Sequence, residues 1–228
     1  MFKKLSLTFV FHFIAFFCKG QLMAGLDFGV TANNINKPNT ITNFKSGKSI
    51  GLVLVKGWSN ILSTKSTIYY MEKNYGYSHN SVVNSTKINS YLQVPIVIQF
   101  RMVKVKNFEM HLNWGVFSEY WLSSKINGTL ANVYNNNTTV VNGEVIDNFS
   151  LEKYSFKYKF EPEMGSRFDC GFMSGLYLTT PISKRHFALL NLSYLQSFEV
   201  DQKNIILTQR GVNKTFNISV GWLFQFSN

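Results

Sequence analysis

Three ionisable residues in one segment are of the types that acid–base catalysis uses. Glu109 and His111 are two positions apart, and Glu119 follows ten positions after Glu109. Residues an even number of positions apart face the same side of a strand, so these three could serve as acid, base and orienting group in a barrel hydrolase acting on lipid. The sequence marks no serine near His111 as the nucleophile. We therefore favour a charge-compensated structural set and assign no catalytic residue.

Metal and disulfide chemistry have little support in the sequence. The remaining histidines are scattered: His12 lies in the N-terminal apolar segment, His79 in a loop and His186 at a turn. Cys170 is the only cysteine after residue 20, which excludes an intrachain disulfide or a cysteine-based zinc cluster in that part of the chain. We expect no metal and no cofactor.

The N-terminus has the composition of an export signal. Two lysines precede an apolar run at 5–17, and small or polar residues lead to Gly20. The run is shorter than the roughly 20 residues that a spanning helix needs. A lipoprotein signal around Cys18 is disfavoured because a bulky phenylalanine precedes it. We predict a signal peptide at 1–20 and one barrel domain at 21–228.

Composition and charge limit the possible partners. Charged residues make up 15% of the chain and aromatic residues 16%, whereas soluble domains carry about 25% charged residues. Without the signal peptide, 20 Lys and Arg face 12 Asp and Glu, a net charge of +8. These basic residues are scattered, so we expect no nucleic-acid partner. Anionic lipid or lipopolysaccharide is the better expectation.

Alternation of apolar and polar residues predicts β-strands. No apolar run after residue 21 is long enough for a spanning helix, but a period of two recurs, which makes one strand face apolar and the other polar. Eight segments are predicted. Six alternate clearly, at 21–32, 87–102, 107–120, 168–179, 188–197 and 212–226; two alternate poorly and depend on β-propensity, at 49–58 and 61–73.

The connections between these segments alternate strictly in length. This pattern predicts an up-and-down antiparallel transmembrane β-barrel of about eight strands, with long extracellular loops, short periplasmic turns and both termini periplasmic. The strand count is uncertain by two. The long connections are 33–48, 74–86, 123–163 and 201–211, and the short ones are 57–60, 103–106 and 183–185.

The charged residues of the strands share the face that also carries the glycines. In an eight-stranded barrel that face is the interior, which is just wide enough for side chains to fill. We predict that the inward charged residues meet as a polar plug, and that conduction is poor. The predicted interior cluster comprises Asp27, Arg101, Glu109, His111, Glu119 and Asp169.

Two motifs resemble those of outer-membrane barrels. Ser219, Gly221, Phe224 and Phe226 are similar to the assembly signal that the barrel-insertion machinery reads. The stretch YLQVPIVIQF at 91–100 resembles a strand of the PorT-like outer-membrane β-barrel family of Bacteroidetes. Within that stretch, Pro95 cannot donate to a sheet ladder and a closed barrel has no edge, so we predict a bulge there.

The resemblance implies a place in the outer membrane of a Gram-negative bacterium rather than an activity. Some members of the family are linked to secretion and gliding machinery. We therefore expect a non-enzymatic protein with a structural or surface-interaction role, or an accessory to such machinery. A surface protein would use the loop at 123–163 as its tip. The alternative is a barrel enzyme that modifies lipid or lipopolysaccharide.

Overall fold

The computed structural model describes residues 20–36, 42–78, 84–141, 144–158, 166–198, 200–203 and 208–226. Nearly all of them lie in strands, and none of the described segments forms a helix long and apolar enough to span a membrane. The predicted signal peptide lies outside these residues except for Gly20, so it remains a prediction. The strands are β1 (Leu22–Asn36), β2 (Thr42–Gly57), β3 (Leu62–Ser78), β4 (Asn84–Val105), β5 (Phe108–Val141), β6 (Glu144–Tyr158), β7 (Phe168–Pro181), β8 (His186–Ser197), β9 (Val200–Lys203) and β10 (Thr208–Gln225).

Eight of these strands close into an antiparallel barrel. The hydrogen-bonded order is β1-β2-β3-β4-β5-β7-β8-β10, and β10 pairs back with β1. The predicted fold class and strand number are confirmed, including the two poorly alternating segments, which are β2 and β3. The other two strands lie off the barrel wall: β6 pairs with β5, and β9 pairs with the beginning of β10.

The outer wall of the barrel is apolar because one parity of each strand consists of aliphatic and aromatic residues. On β1 the exposed positions are Leu26, Phe28 and Val30, while the alternate residue Asp27 is fully buried. Trp114 on β5 is 65% exposed, a degree that a large apolar side chain reaches on a lipid-facing surface. This pattern continues around the barrel and defines an apolar band.

Apolar side chains also fill part of the interior, in two separate clusters. One consists of Val53, Val55, Tyr177, Leu189 and Leu223. The other consists of Val97, Phe117, Met173 and Leu195. Because β2 contributes valines to the interior and leucines to the wall, its two faces have similar hydropathy. That similarity explains the poor alternation of the β2 segment in the sequence.

The short turns and the chain ends lie at the same rim of the barrel. The strands are joined there by residues 58–61, 106–107 and 182–185, in agreement with the short connections predicted. The Gly57 N–H donates to the Gln21 carbonyl over 2.8 Å, and the Phe226 N–H donates to the Leu22 carbonyl over 2.9 Å. The N–H of Gln225 donates to the backbone carbonyl of Arg185 in the third turn. We call this end the turn rim.

The predicted long loops are shorter than expected at the opposite end, because the strands continue beyond the apolar band. Strand β1 reaches Asn36 and β2 begins at Thr42, so most of the 33–48 connection is paired sheet. The same holds for 74–86, and β9 occupies part of 201–211. Polar residues obscure a strand in hydropathy, yet their backbone hydrogen bonds are as good as those of apolar residues.

The predicted bulge at Pro95 is not present in the structure. Pro95 pairs with Phe117 of β5 without a register shift. On the β3 side, pairing stops between Ser66 and Tyr69 and resumes in the same register. The missing N–H thus interrupts the ladder without displacing it. The irregularities between β4 and β5 lie elsewhere, between Ser90 and Tyr91 and between Arg101 and Val103.

Candidate functional site

The predicted interior residues occupy three separate places along the barrel. Asp27 and Glu119 are fully enclosed, whereas Arg101, Glu109 and His111 gather at the turn rim. Asp169 faces inward near the opposite end, opposite Glu119 in the register between β5 and β7. A single plug is therefore not what the structure shows. Asp27 and Glu119 each have a partner on β3.

A buried ion pair joins β3 to β5. The Lys73 Nζ donates to the Glu119 Oε2 over 2.6 Å, and their side chains are 2% and 0% exposed. The rings of Tyr91 and Phe117 surround the ammonium, with centroids at 5.3 and 5.0 Å. Asp169 is held by the Cys170 N–H, which donates to its Oδ1 over 2.7 Å. The pair compensates both charges where water is scarce.

A second buried group centres on Asp27. The Tyr69 hydroxyl donates to the Asp27 Oδ2 over 2.7 Å, joining β3 to β1. Lys65, also on β3, places its Nζ 4.3 Å from the centroid of the Tyr177 ring on β7. Strand β3 thus supplies two fully buried lysines and a central tyrosine. The sequence does not reveal these residues, because the large amphipathic side chains of β3 make its two faces similar in hydropathy.

Amide and hydroxyl side chains connect the remaining inward positions. Gln99 receives a hydrogen bond from the Ser63 hydroxyl over 3.2 Å and donates to the Asn113 Oδ1 over 3.0 Å. Across the β2–β10 side, the Ser49 hydroxyl donates to the Asn217 Oδ1 over 2.8 Å. The two bonds of Gln99 join register partners on adjacent strands, whereas the Ser49–Asn217 bond joins β2 to β10 across β1 and so braces the interior.

The turn-rim cluster has Glu109 at its centre. Its carboxylate lies 2.7 Å from the Lys104 Nζ, 3.3 Å from an Arg101 guanidinium nitrogen and 3.4 Å from the His111 Nε2. Together with Tyr177, these residues line part of a cavity of 410 Å³. A carboxylate shared among basic groups is suited to structure more than to proton abstraction.

The turn-rim cluster forms no serine–histidine relay within the segments that the structure describes. Among the described residues, the His111 Nδ1 has no hydrogen-bond partner. The nearby Ser59 hydroxyl oxygen instead accepts the N–H groups of Ile61 and Leu62, and Ser63 donates to Gln99. No serine–histidine hydrogen bond is formed in the described ranges, so this site shows no assembled nucleophile.

The four residues of the predicted assembly signal lie on β10 and just beyond it. Ser219 faces the interior, where its hydroxyl accepts a hydrogen bond from Asn191 over 3.2 Å. Phe224 and Phe226 lie on the outer wall at the turn rim, with ring centroids 5.1 Å apart. His186 stacks on Trp222 beside them. Such aromatic clusters are typical of a membrane interface.

No group of His, Cys, Asp and Glu in the described segments is arranged to hold a metal ion. Cys170 is a free thiol on the outer wall.

Comparisons with known proteins agree with this architecture. A family model described as outer membrane protein beta-barrel domain matches residues 19–199. No curated protein sequence matches the chain. Among solved structures, OprG from Pseudomonas aeruginosa is similar with a TM-score of 0.50 and 8% identity, over 92% of this chain and 97% of that one.

Two further similar structures have different names and roles. Ail, the attachment invasion locus protein of Yersinia pestis, aligns with 10% identity and a TM-score of 0.43, over 90% of this chain and 99% of its own. The outer membrane protease OmpT from Escherichia coli aligns with 6% identity and a TM-score of 0.45, over 90% and 97%. At these identities the likeness is one of fold alone.

Breaking the buried ion pair should destabilise the barrel strongly. Lys73→Met leaves the Glu119 carboxylate buried and unpaired, so we expect a loss of about 3–5 kcal/mol in the free energy of unfolding. Lys104→Met, at the partly exposed rim, should cost about 1 kcal/mol or less. Urea unfolding of the full chain in lipid vesicles measures both values. The double variant Lys73→Met/Glu119→Met should recover most of the lost stability. An equal loss of stability for Lys73→Met and Lys104→Met would contradict the structural role of the buried pair.

Proposed function

This chain belongs to the outer membrane protein beta-barrel domain family, and we propose that within it the chain acts as a non-enzymatic surface protein. In this role the closed barrel is an anchor, and the β5–β6 hairpin is the part that contacts other molecules. The hairpin is the observation on which the proposal rests.

Strand β5 is much longer than the barrel needs. Its residues Glu109 to Tyr120 pair with β7 in the barrel wall, and residues Ser124 to Val141 pair with β6 instead. Residues 124–128 also pair with β4 in the wall, and at about 3.3 Å per residue the 13 residues at 129–141 extend on the order of 40 Å beyond it. In the described chain, β6 pairs only with β5. Its other edge can therefore accept a strand from a partner.

The filled interior supports an anchoring role over a channel. Two apolar clusters, the pair of Lys73 with Glu119 and the amide network occupy the space that an eight-stranded barrel encloses. The cavity at the turn rim belongs to one end of the barrel. Solutes passing along the axis would have to displace buried side chains.

The proposed orientation has the turn rim in the periplasm. Short turns and both described chain ends share that rim, which is typical of outer-membrane barrels. The hairpin then projects outside the cell. Export through the predicted signal peptide and insertion guided by Phe224 and Phe226 are parts of the same proposal.

The finer family assignment and the partner are also proposed. The PorT-like character rests on the stretch at 91–100, and an accessory role in secretion or gliding machinery follows from that resemblance. In the described chain, the edge of β6 that faces away from β5 fits a protein partner that adds an extended strand. A surface role without any secretion or gliding machinery would use the same edge of β6.

A lipid-modifying enzyme remains the alternative function. The observation that favours it is the cavity at the turn rim, where Glu109 and His111 are both present. Against it stands the engagement of Glu109 by Arg101 and Lys104. An enzyme at this rim would act on the periplasmic leaflet.

Orientation is testable with single cysteines in a Cys170→Ser background. Lys153→Cys is an exposed position on the hairpin, and Ser183→Cys is an exposed position in a turn. In intact cells, a membrane-impermeant maleimide should label position 153 alone. Position 183 should react only after the outer membrane is opened. Labelling of position 183 in intact cells would contradict the proposed orientation.

Removing the hairpin should separate anchoring from interaction. Gly128 and Tyr154 are register partners, so residues 129–153 can be replaced by an Asn-Gly turn. We expect heat-modifiable migration on gels to persist, because the wall pairings of β5 end at Tyr120 with β7 and at Gly128 with β4, before the replaced residues. Proteins cross-linked to the barrel in whole cells should be lost. Lys184→Gln/Arg185→Gln serves as the control, and an unchanged set of cross-links would reject the hairpin as the contact site.

The enzyme alternative has its own test. If Glu109 and His111 are structural, Glu109→Gln and His111→Ala should leave the composition of envelope lipids unchanged, as measured by mass spectrometry of extracted lipids. A deletion strain provides the reference for any lipid modification. Loss of a modification in a variant that still migrates as a folded barrel would favour the enzyme.

A further inference from the structure

Two lysines face each other where the β5–β6 hairpin leaves the barrel. Lys125 on β5 and Lys157 on β6 are direct register partners. Side chains at such positions lie about 5 Å apart at Cβ, and like charges placed there destabilise the pair of strands. In the described part of the chain, neither lysine forms a salt bridge. The hairpin thus contains a repulsion that no carboxylate among the described residues relieves.

The lysine pair lies on the outer face. Ser124, the residue before Lys125, is 2% exposed and faces inward, so Lys125 points away from the interior. Lys153 precedes Lys157 by four positions on the same strand and shares its face. The carboxylates nearby in the sheet lie on the other face: Glu119 is enclosed with Lys73, and Glu152 has the opposite parity to Lys153.

Arg167 adds a third cation at the base of the hairpin. Its guanidinium lies 5.9 Å from the Tyr120 ring centroid and donates to the Tyr120 hydroxyl over 3.3 Å. Tyr120 is on the outer wall, so Arg167 is on the same side as Lys125. We call Lys125, Lys157 and Arg167 the outer cationic cluster.

The outer cationic cluster lies directly above the end of the apolar band. Tyr120, Leu122 and Phe168 are exposed on the wall just below it, at 41%, 46% and 58%. Toward the hairpin end of the barrel, the outward apolar residues of β10 and β2 also stop at an outward lysine. Lys214 lies two positions before Phe216 on β10, and Lys48 lies two positions before Ile50 on β2. Cations therefore follow the hydrocarbon boundary at the hairpin end, the level at which lipid headgroups lie.

We propose that the outer cationic cluster binds the phosphate groups of lipopolysaccharide. Lysine and arginine are both suited to phosphate, and arginine can contact two of its oxygens at once. The exposed Tyr120, Leu122 and Phe168 contact the acyl chains of the same lipid. Phosphate between Lys125 and Lys157 turns their repulsion into two attractions. In cells the proposal rests on the proposed orientation, because only lipid of the outer leaflet reaches this end.

Binding can be measured independently of orientation. The purified full chain is inserted into phosphatidylcholine vesicles that contain an increasing fraction of lipopolysaccharide in both leaflets. Lipopolysaccharide that binds the barrel raises the urea concentration at the unfolding midpoint. The fraction of lipopolysaccharide that gives half of the largest increase is the apparent affinity. We expect Lys125→Gln/Lys157→Gln to require about thirtyfold more lipopolysaccharide, because two cationic contacts to phosphate are lost; this is equivalent to about 2 kcal/mol. Lys184→Gln/Arg185→Gln removes the same charge at the turn rim and should change the requirement less than twofold.

Three further measurements make the result decisive. In phosphatidylcholine alone, Lys125→Gln/Lys157→Gln should be at least as stable as the unmodified chain, since a repulsion is removed. Lys125→Arg/Lys157→Arg should retain binding. Inorganic phosphate alone should not shift the midpoint. The proposal is overturned if the two charge-removing variants lose affinity equally, if Lys125→Gln/Lys157→Gln binds normally, or if inorganic phosphate reproduces the effect. Cysteine labelling that reverses the orientation would reject the proposed topology while leaving this binding result intact.

Discussion

Closure of β1 on β10 is the contact on which the rest of the structure depends. These strands come from opposite ends of the described chain and pair continuously from Met23 with Gln225 to Asn36 with Val212. In hydrocarbon, an unpaired N–H or carbonyl costs several kcal/mol, so an open edge between them would be unstable. Closure in turn fixes an inside and an outside, and every alternating side chain is assigned to one of them.

The assignment of side chains explains the composition of the core. A barrel in lipid directs its apolar residues outward, so the small interior must receive most of the polar ones. Lys73 can be buried there because Glu119 and two aromatic rings surround it. Tyr69 plays the corresponding part for Asp27. Both contacts join β3 to strands that are distant in the sequence, and they brace the barrel across its interior.

The change of partner along β5 gives this barrel its distinctive feature. Up to Tyr120 the strand pairs with β7, and from Ser124 onward it pairs with β6. The irregular pairing with β4 near Tyr91 occurs at the same level. One continuous strand therefore forms part of the barrel wall and one side of the hairpin. The outer cationic cluster lies at that junction.

The sequence by itself determined the class of fold, the eight wall strands, the short turns and the parity that places Asp27 and Glu119 inside. These follow from patterns along the chain: a period of two, the alternation of long and short connections, and the absence of long apolar runs. Only the tertiary structure decided the partners. Lys73 and Glu119 are 46 positions apart, and their meeting depends on the registers of β3, β4 and β5 together. Arg101, Glu109 and His111 have the same inward parity as Glu119, but their height along the barrel separates them from it. The continuation of β5 into the hairpin was also hidden, because backbone hydrogen bonds extend a strand through polar residues that hydropathy assigns to a loop.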